Sequence, residues 1–313
     1  MLNSLLGRRI RGDMEQGEQW GTERGGTASR FSRMISPGER LTGVEQEVTV
    51  SDATQRYRIG SRMQDGDRVF HYGQIAVTGG YGITTWPTQV RVGAGVATGI
   101  WPGNDETNVV GAVAGVAGAY TITYVCTANI AANQFQGGII AFAGAQYGHS
   151  NRILSHALCL AGNTVILYLE DPLALIIAAG QAATLYRNPF ACVYSPWQGT
   201  IEAIANPNNQ RLTLIGMPLV QGLAGEFQWF QTWGPCVSVS GSGAEGTNIE
   251  ERELVFDNQD GTVELAGPVW GAGRSFQRAG YILPSTNTAV ALPAVGTGGG
   301  QNGMIHFMLQ VMP

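Results

Sequence analysis

The segment Met304-Ile-His-Phe-Met-Leu-Gln-Val311 decides the fold class. Its larger apolar side chains occur at every second position, at Ile305, Phe307, Leu309 and Val311. Successive side chains of a β-strand point to opposite faces, so a period of two residues predicts a strand with one face in a core.

Other segments show the same alternation. Val165, Leu167 and Leu169 alternate with Ile166, Tyr168 and Glu170, and another predicted face comprises Tyr120, Ile122, Tyr124 and Cys126. Turn clusters lie between such segments, for example at residues 65–67, 162–163 and 260–261, and no capped run of helix formers follows residue 45. These features predict an all-β chain of β-sandwich or barrel modules with Gly-rich turns and an extended N-terminal arm.

The composition is unusually poor in charge. Charged residues make up 13% of the chain, about half of the roughly 25% found in a typical soluble domain. All 18 basic residues are Arg, and the net charge is −5. The apolar content of 44% argues against disorder, and the net negative charge argues against a general nucleic-acid-binding surface. We therefore expect no specific nucleic acid as a partner.

The predicted organisation has three parts. Residues 1–45 are rich in Arg, Glu, Gln and Gly, which predicts an N-terminal arm, extended or partly helical, that becomes ordered on a partner; a plain flexible terminus is the alternative. Residues 46–205 are predicted to form a β domain and residues 206–313 a second β module, and the sequence leaves open whether the two are continuous. The arm residues predicted to contact a partner are Arg8, Arg9, Arg11, Trp20, Arg24, Arg30 and Arg33.

The sequence gives no sign of a targeting signal, a membrane span or a disulfide framework. The apolar residues 2–6 are too few for a signal peptide. The uncharged stretch between Glu106 and Arg152 is rich in Gly, Asn, Gln and Thr, which favours a buried sheet over a membrane span. The four cysteines are widely separated without a CxxC pair, as expected of small buried hydrophobic residues in a reduced compartment.

No pattern indicates catalysis or a cofactor. A Gly-x-Ser-x-Gly motif is absent, and the four histidines offer few candidates for a general base. His149, His156 and Cys159 lie close together in sequence but lack metal-ligand spacing, so we expect ordinary packed or surface residues. The acidic residues around Asp257 and Asp260 indicate a hairpin turn rather than a calcium loop.

The most distinctive local feature is the aromatic segment Phe227-Gln-Trp-Phe-Gln-Thr-Trp-Gly-Pro-Cys236. Alternating aromatic residues usually belong to a well-packed sheet, so core packing is the favoured interpretation. An inter-subunit contact and a sugar-binding aromatic platform are the two alternatives.

Several segments, in order, resemble a family of tailed-bacteriophage virion proteins that are encoded with the head genes. They are Arg68-Val-Phe-His-Tyr72, Asn163-Thr-Val-Ile-Leu-Tyr-Leu-Glu-Asp-Pro-Leu173, Arg187-Asn-Pro-Phe190, Phe227 to Pro235, Ala279-Gly-Tyr-Ile-Leu283 and Phe307-Met-Leu-Gln310. The resemblance covers roughly residues 50–313, and residues 1–45 lie outside it. It implies a role on the particle surface, as a capsid decoration or cement protein, and carries no catalytic residues.

The resulting expectation is a non-enzymatic structural protein of the virion, assembled in the host cytoplasm. Its expected partners are the major capsid protein or other virion proteins and further copies of itself, without a membrane or a cofactor. Two alternatives remain at this point: a major capsid protein, or a receptor- or carbohydrate-binding tail or head-fibre protein. The second alternative would use loop aromatics such as Trp86, Trp101, Trp197 and Trp270.

Overall fold

The computed structural model describes residues 34–35, 45–75, 89–90, 95–98, 113–142, 149–193, 213–239, 252–256, 261–266, 277–283 and 304–312. Within these ranges the regular structure is β-strand except for one short 3₁₀ helix, Pro189–Ala191. The prediction of an all-β chain is confirmed. None of the helical structure in the described ranges is long and apolar enough to cross a membrane.

The strands are numbered in chain order. They are β1 Met34–Ile35, β2 Arg62–Asp65, β3 Arg68–Gln74, β4 Gln89–Val90, β5 Val96–Thr98, β6 Val113–Gly115, β7 Thr121–Val125, β8 Ile139–Phe142, β9 Ser150–His156, β10 Thr164–Leu169, β11 Ile177–Gln181, β12 Ala183–Tyr186, β13 Thr213–Pro218, β14 Gly222–Leu223, β15 Phe227–Val239, β16 Glu253–Phe256, β17 Val263–Leu265, β18 Gln277–Ile282 and β19 Met304–Gln310.

The chain divides into two compact units. The first, which we call the main unit, comprises residues 1–79, 83–98 and 192–313, and the second, the inserted module, comprises residues 80–82 and 99–191. The boundary predicted between residues 205 and 206 lies outside the described residues. Strand β3, from the predicted first domain, pairs with β15, from the predicted second module, so the main unit joins the two segments in one sheet.

Strand β15 is the central element of the main unit. The path of the ten-stranded sheet runs β1-β2-β3-β15-β19-β18-β16-β17, and β13 pairs with both β15 and β5. The first half of β15 pairs with β3 and its second half with β19. A register shift between Gln231 and Trp233 and a positive φ of 99° at Gly234 mark the change of partner. A Cβ at Gly234 would meet the carbonyl oxygen of Asp67, so this position favours glycine.

The hairpin turns of the main unit agree with the sequence. Gly66, at a positive φ of 62°, lies in the turn that joins β2 to β3, where Asp65 pairs with Arg68. Strands β16 and β17 are paired antiparallel, as the acidic turn predicted, although residues 257–260 themselves lie outside the described residues.

The aromatic segment packs in the core, as predicted. Phe227, Trp229 and Phe230 are all buried. The ring of Trp229 lies 4.9 Å from that of Tyr57 and 5.1 Å from that of Tyr72, centroid to centroid. Tilted and edge-on contacts at this separation are the favoured geometry for aromatic pairs. We call Tyr57, Tyr72, Phe227 and Trp229 the aromatic cluster.

Gln46 connects the first described residues of the main unit to the aromatic cluster through hydrogen bonds. Its buried amide nitrogen Nε2 donates to the carbonyl oxygens of Phe227, at 2.7 Å, and Val50, at 2.9 Å. Its Oε1 accepts a hydrogen bond from the Tyr72 hydroxyl at 2.7 Å, and its backbone oxygen accepts one from Trp229 Nε1 at 3.1 Å. The Phe227 carbonyl also accepts from the Asp52 amide and the Tyr72 hydroxyl also accepts from the Arg56 amide, so the Gln46 side chain completes a network of buried polar groups and accepts the Tyr72 hydroxyl proton.

Replacing Gln46 by Ala should destabilise the fold strongly. The change removes three hydrogen bonds, two of them buried, and leaves the buried Tyr72 hydroxyl proton without its acceptor, which should lower the free energy of unfolding by roughly 3 kcal/mol. Urea denaturation followed by tryptophan fluorescence measures the loss. The matched control is Gln64→Ala, because Gln64 is exposed and makes a single bond to the Gly66 carbonyl. Equal losses for the two variants would contradict the role of Gln46.

The inserted module is built on one seven-stranded sheet with the order β11-β6-β7-β10-β9-β8-β12. Its edge strands, β11 and β12, are consecutive in the chain and separated only by Ala182. The edges of a flat seven-stranded sheet lie about 29 Å apart, whereas two residue steps span at most about 7 Å. The sheet must therefore curl, as a half-barrel does, until its two edges approach each other at this corner.

One face of the curled sheet encloses the core of the module. The buried side chains alternate along the strands as predicted, with Val165, Leu167 and Leu169 inside and Ile166 and Tyr168 outside. The neighbouring strand contributes Ile122 and Tyr124 to the same core. The prediction for Tyr120 was wrong, since this residue is exposed. It precedes β7, in the turn where its carbonyl accepts a hydrogen bond from the Leu169 amide.

Candidate interaction surface

The predicted contact residues lie outside the part of the chain that the structure describes. Arg8, Arg9, Arg11, Trp20, Arg24, Arg30 and Arg33 all fall within residues 1–33, and the four loop tryptophans proposed for glycan binding are likewise outside. The described part of the predicted arm is β1, which pairs antiparallel with Met63 and Gln64 of β2 at the edge of the sheet. The role of the arm residues stays a prediction.

Exposed apolar side chains are concentrated in the inserted module. Among the described residues, fifteen large apolar side chains are exposed, and eleven of them belong to this module. They are Val116, Tyr120, Ile139, Leu154, Leu158, Leu160, Ile166, Tyr168, Leu175, Ile176 and Tyr186. Two groups of these residues form surfaces, one on the outside of the sheet and one at its end.

The first group forms what we call the outer face. It comprises Ile139 of β8, Leu154 of β9, Ile166 and Tyr168 of β10, and Tyr186 of β12, each between 37% and 48% exposed. These four strands are adjacent in the sheet, and Tyr186 lies directly opposite Ile139 in the ladder. The outward side of a one-sided antiparallel sheet is normally polar, so this row of apolar side chains is unusual.

Charge is almost absent from the outer face. The only charged residues on it are Arg152, directly opposite Ile139, and Glu170, which follows β10. Arg152 Nε lies 3.4 Å from Glu170 Oε2, and both side chains are about half exposed. An exposed pair of this kind contributes little to stability, but it keeps the face neutral.

The second group, which we call the apolar tip, lies at the end of the β6–β11 ladder. Gly115 pairs with Ile177, so the next residues along each strand, Val116 and Ile176, lie side by side. They are 69% and 67% exposed, and Leu175 beside them is also exposed. The Gly118 amide donates to the Leu173 carbonyl at 2.7 Å, which holds the two turns together.

The sequence contained part of the signal for the outer face. The alternation in residues 165–170 correctly placed Ile166 and Tyr168 opposite the core positions. It did not indicate that these outward positions stay uncovered, because a period of two gives the orientation of a side chain and not its neighbours. The uncharged stretch between Glu106 and Arg152 was the remaining clue, and it was interpreted as buried sheet.

The described residues contain no group of three or more His, Cys, Asp or Glu side chains placed to hold a metal ion. Of the three residues considered as ligands, His149 is exposed and Cys159 is buried. His156 is buried with both ring nitrogens engaged. The Phe135 amide donates to Nε2 at 3.0 Å, and Nδ1 lies 2.8 Å from the Ala157 carbonyl. This arrangement requires the neutral tautomer with its proton on Nδ1.

His156 should make the module sensitive to acid. Burial lowers the pKa of His156 below its usual value of 6.5, and the hydrogen bond to the Ala157 carbonyl opposes this shift only in part. The unfolded chain takes up a proton near pH 6.5 that the folded chain does not, so this contribution to stability is complete above that pH and declines below it. The decline continues as the pH falls towards the lower folded-state pKa, and its slope is at most about 1.4 kcal/mol per pH unit.

Urea denaturation over a pH series tests whether His156 causes the loss of stability at acidic pH. His156→Gln should flatten the dependence below pH 6.5, whereas His149→Gln, a change of the same kind at an exposed position, should leave it as in the wild type. An unchanged pH dependence in His156→Gln would show that another group is responsible.

The buried hydroxyl and thiol groups of the main unit are poor nucleophiles. Burial raises the pKa of Tyr72 to about 12 and that of Cys236 to about 12. The Cys236 sulfur lies 3.6 Å from the sulfur of Met217 in the core. Cys126, Cys159 and Cys236 are buried, as expected of small hydrophobic side chains.

Comparisons of the chain with protein-family models, with curated proteins and with solved structures find no match. The surface chemistry of the inserted module therefore carries the argument about function.

Proposed function

We propose that the chain is a non-enzymatic structural protein of a virus particle, most simply a capsid decoration protein. The supporting observation is that eleven exposed large apolar side chains occur on a module with four charged residues in its described part, Arg152, Glu170, Asp171 and Arg187. Monomeric soluble proteins rarely expose large apolar patches, and the centres of protein interfaces are depleted in charge. A protein built to dock on an assembly has this surface.

The resemblance to tailed-bacteriophage virion proteins supports the same function. One of its segments contributes to the outer face, since residues 163–173 include Ile166, Tyr168 and Glu170. The segments Arg68–Tyr72 and Phe227–Pro235 instead build the β3–β15 pairing of the main unit. The resemblance thus spans both units.

The N-terminal arm supplies a second mode of attachment in this proposal. Gln46 is held by the aromatic cluster, which provides a firm anchor where the preceding segment joins the body. Residues 1–33 carry six arginines, and 33 residues in a fully extended state reach at most roughly 110 Å. An arm of this length can contact a neighbouring subunit while the body docks elsewhere, which raises the total affinity through linkage.

The copy number of the chain per particle tests the proposal. A decoration protein occupies repeated lattice sites, so quantitative mass spectrometry of purified particles should find on the order of hundreds of copies. About a dozen copies or fewer would instead assign the chain to a tail or vertex. Its absence from particles, or glycan binding by the isolated chain, would overturn the decoration role.

Removal of residues 1–33 should separate attachment from folding. Strand β1 and the Gln46 anchor remain in the shortened chain, so its thermal melting should match that of the full chain. Its occupancy on purified shells at limiting concentration should fall roughly tenfold or more. The matched control replaces Arg8, Arg9, Arg11, Arg24, Arg30 and Arg33 by Gln at full length; retained occupancy there would assign attachment to arm contacts other than charge. Unchanged occupancy after the deletion would refute the attachment role of the arm.

A further inference from the structure

We infer that the outer face of the inserted module binds the same face of a second copy of the chain, giving a two-fold symmetric dimer. Ile139, Leu154, Ile166, Tyr168 and Tyr186 would form the contact, with β9 and β8 as its central strands. This dimer does not depend on the virion role, because its argument uses only the chemistry of the face.

The side-chain pattern of the outer face suits a second sheet, and the curl restricts the contact to the part of this convex side along which two copies can touch. Two β-sheets pack through apolar side chains at a separation of about 10 Å, and the inner faces of such pairs carry alternating apolar residues. The outer face presents this pattern on four adjacent strands, while the opposite side of the same strands fills the module's own core. Pairing two copies would cover apolar side chains of the outer face, just as the module's core covers the side chains on the inner side of the same strands.

The charge distribution selects a second copy over a charged partner. Residues 113–191 contain two arginines and two acidic residues, so they are neutral, and the net charge of −5 resides in the rest of the chain. Two copies that approached through acidic surfaces elsewhere on the chain would repel each other. Strongly basic or acidic partners gain no attraction from a neutral face.

The ion pair on the face is self-complementary. A two-fold interface brings each patch against itself, so residue i meets residue j and residue j meets residue i. Arg152 and Glu170 lie next to each other, at 3.4 Å, and each can therefore face the opposite charge of the second copy. A face with two like charges would repel itself, whereas this one does not.

The mass of the free chain in solution tests the dimer. Light scattering or sedimentation should give about twice the 33.2 kDa of one chain for the wild type. Ile166→Asp places a charge among the apolar side chains of the face and should weaken the dimer roughly 30-fold or more. The matched control is Ile176→Asp, the same exchange at an exposed residue of the apolar tip, which should leave the dimer intact. A wild-type mass of one chain, or loss of the dimer in the control alone, would overturn the inference.

A charge-exchange experiment remains decisive even if Ile166→Asp disturbs folding. Arg152→Glu makes the face doubly negative and Glu170→Arg makes it doubly positive, so each variant alone should be monomeric. An equimolar mixture should recover the dimer mass, because the two faces then attract each other. Recovery also shows that both variants are folded. If the mixture stays monomeric while both variants keep the wild-type circular dichroism, the outer face is not the dimer contact.

Occupancy on particles is measured separately from the mass of the free chain. A monomeric chain that still decorates shells would remove the dimer and leave the proposed function standing. A chain that is dimeric in solution but absent from particles would support the dimer and overturn the proposed function.

Discussion

The main unit depends on the pairing of one strand with three others. Strand β15 pairs with β3 along its first half, with β13 at Phe230 and Gln231, and with β19 along its second half, so segments more than 200 residues apart in sequence meet on the same strand. Its first half is buried on both faces, with Trp229 on one side and Phe230 on the other. The bulge beside Thr232 and the left-handed conformation of Gly234 lie where the pairing with β3 ends and the pairing with β19 begins. Gln46 completes this arrangement by satisfying polar groups inside the aromatic cluster.

The sequence predicted the strands better than it predicted their grouping. Alternation correctly located β10 and β19, and the turns at Gly66 and Gly162 were recognised from their residue types. The inserted module was not separated from its surroundings, because strands of both units follow the same period and pairing between distant segments leaves no local pattern. Tyr120 shows the same limit at small scale. It continues the alternation of β7 in sequence, yet the strand begins one residue later.

The two units divide the chemistry of the chain between them. Buried polar side chains such as Gln46, His71 and Thr232 hold the main unit together through specific hydrogen bonds. The inserted module relies on an apolar core and leaves comparable apolar chemistry on its outside. A chain in which the module was exchanged could present a different exposed surface while retaining the β3–β15–β19 framework, since the residues on both sides of the insertion belong to the main unit.

The curl of the seven-stranded sheet has a consequence for solubility during assembly. The unpaired backbone groups of an open sheet edge can bind a strand of another chain and so start aggregation. Many proteins prevent this with charged side chains on the edge strand, Lys in particular. This chain has no Lys, and its module has few charges of any kind. Because Ala182 brings β11 and β12 to one corner, the curl of the sheet protects part of the two edges that charged side chains protect in other proteins. Two edges that approach each other leave less unpaired backbone for a further strand than the open edges of a flat sheet would.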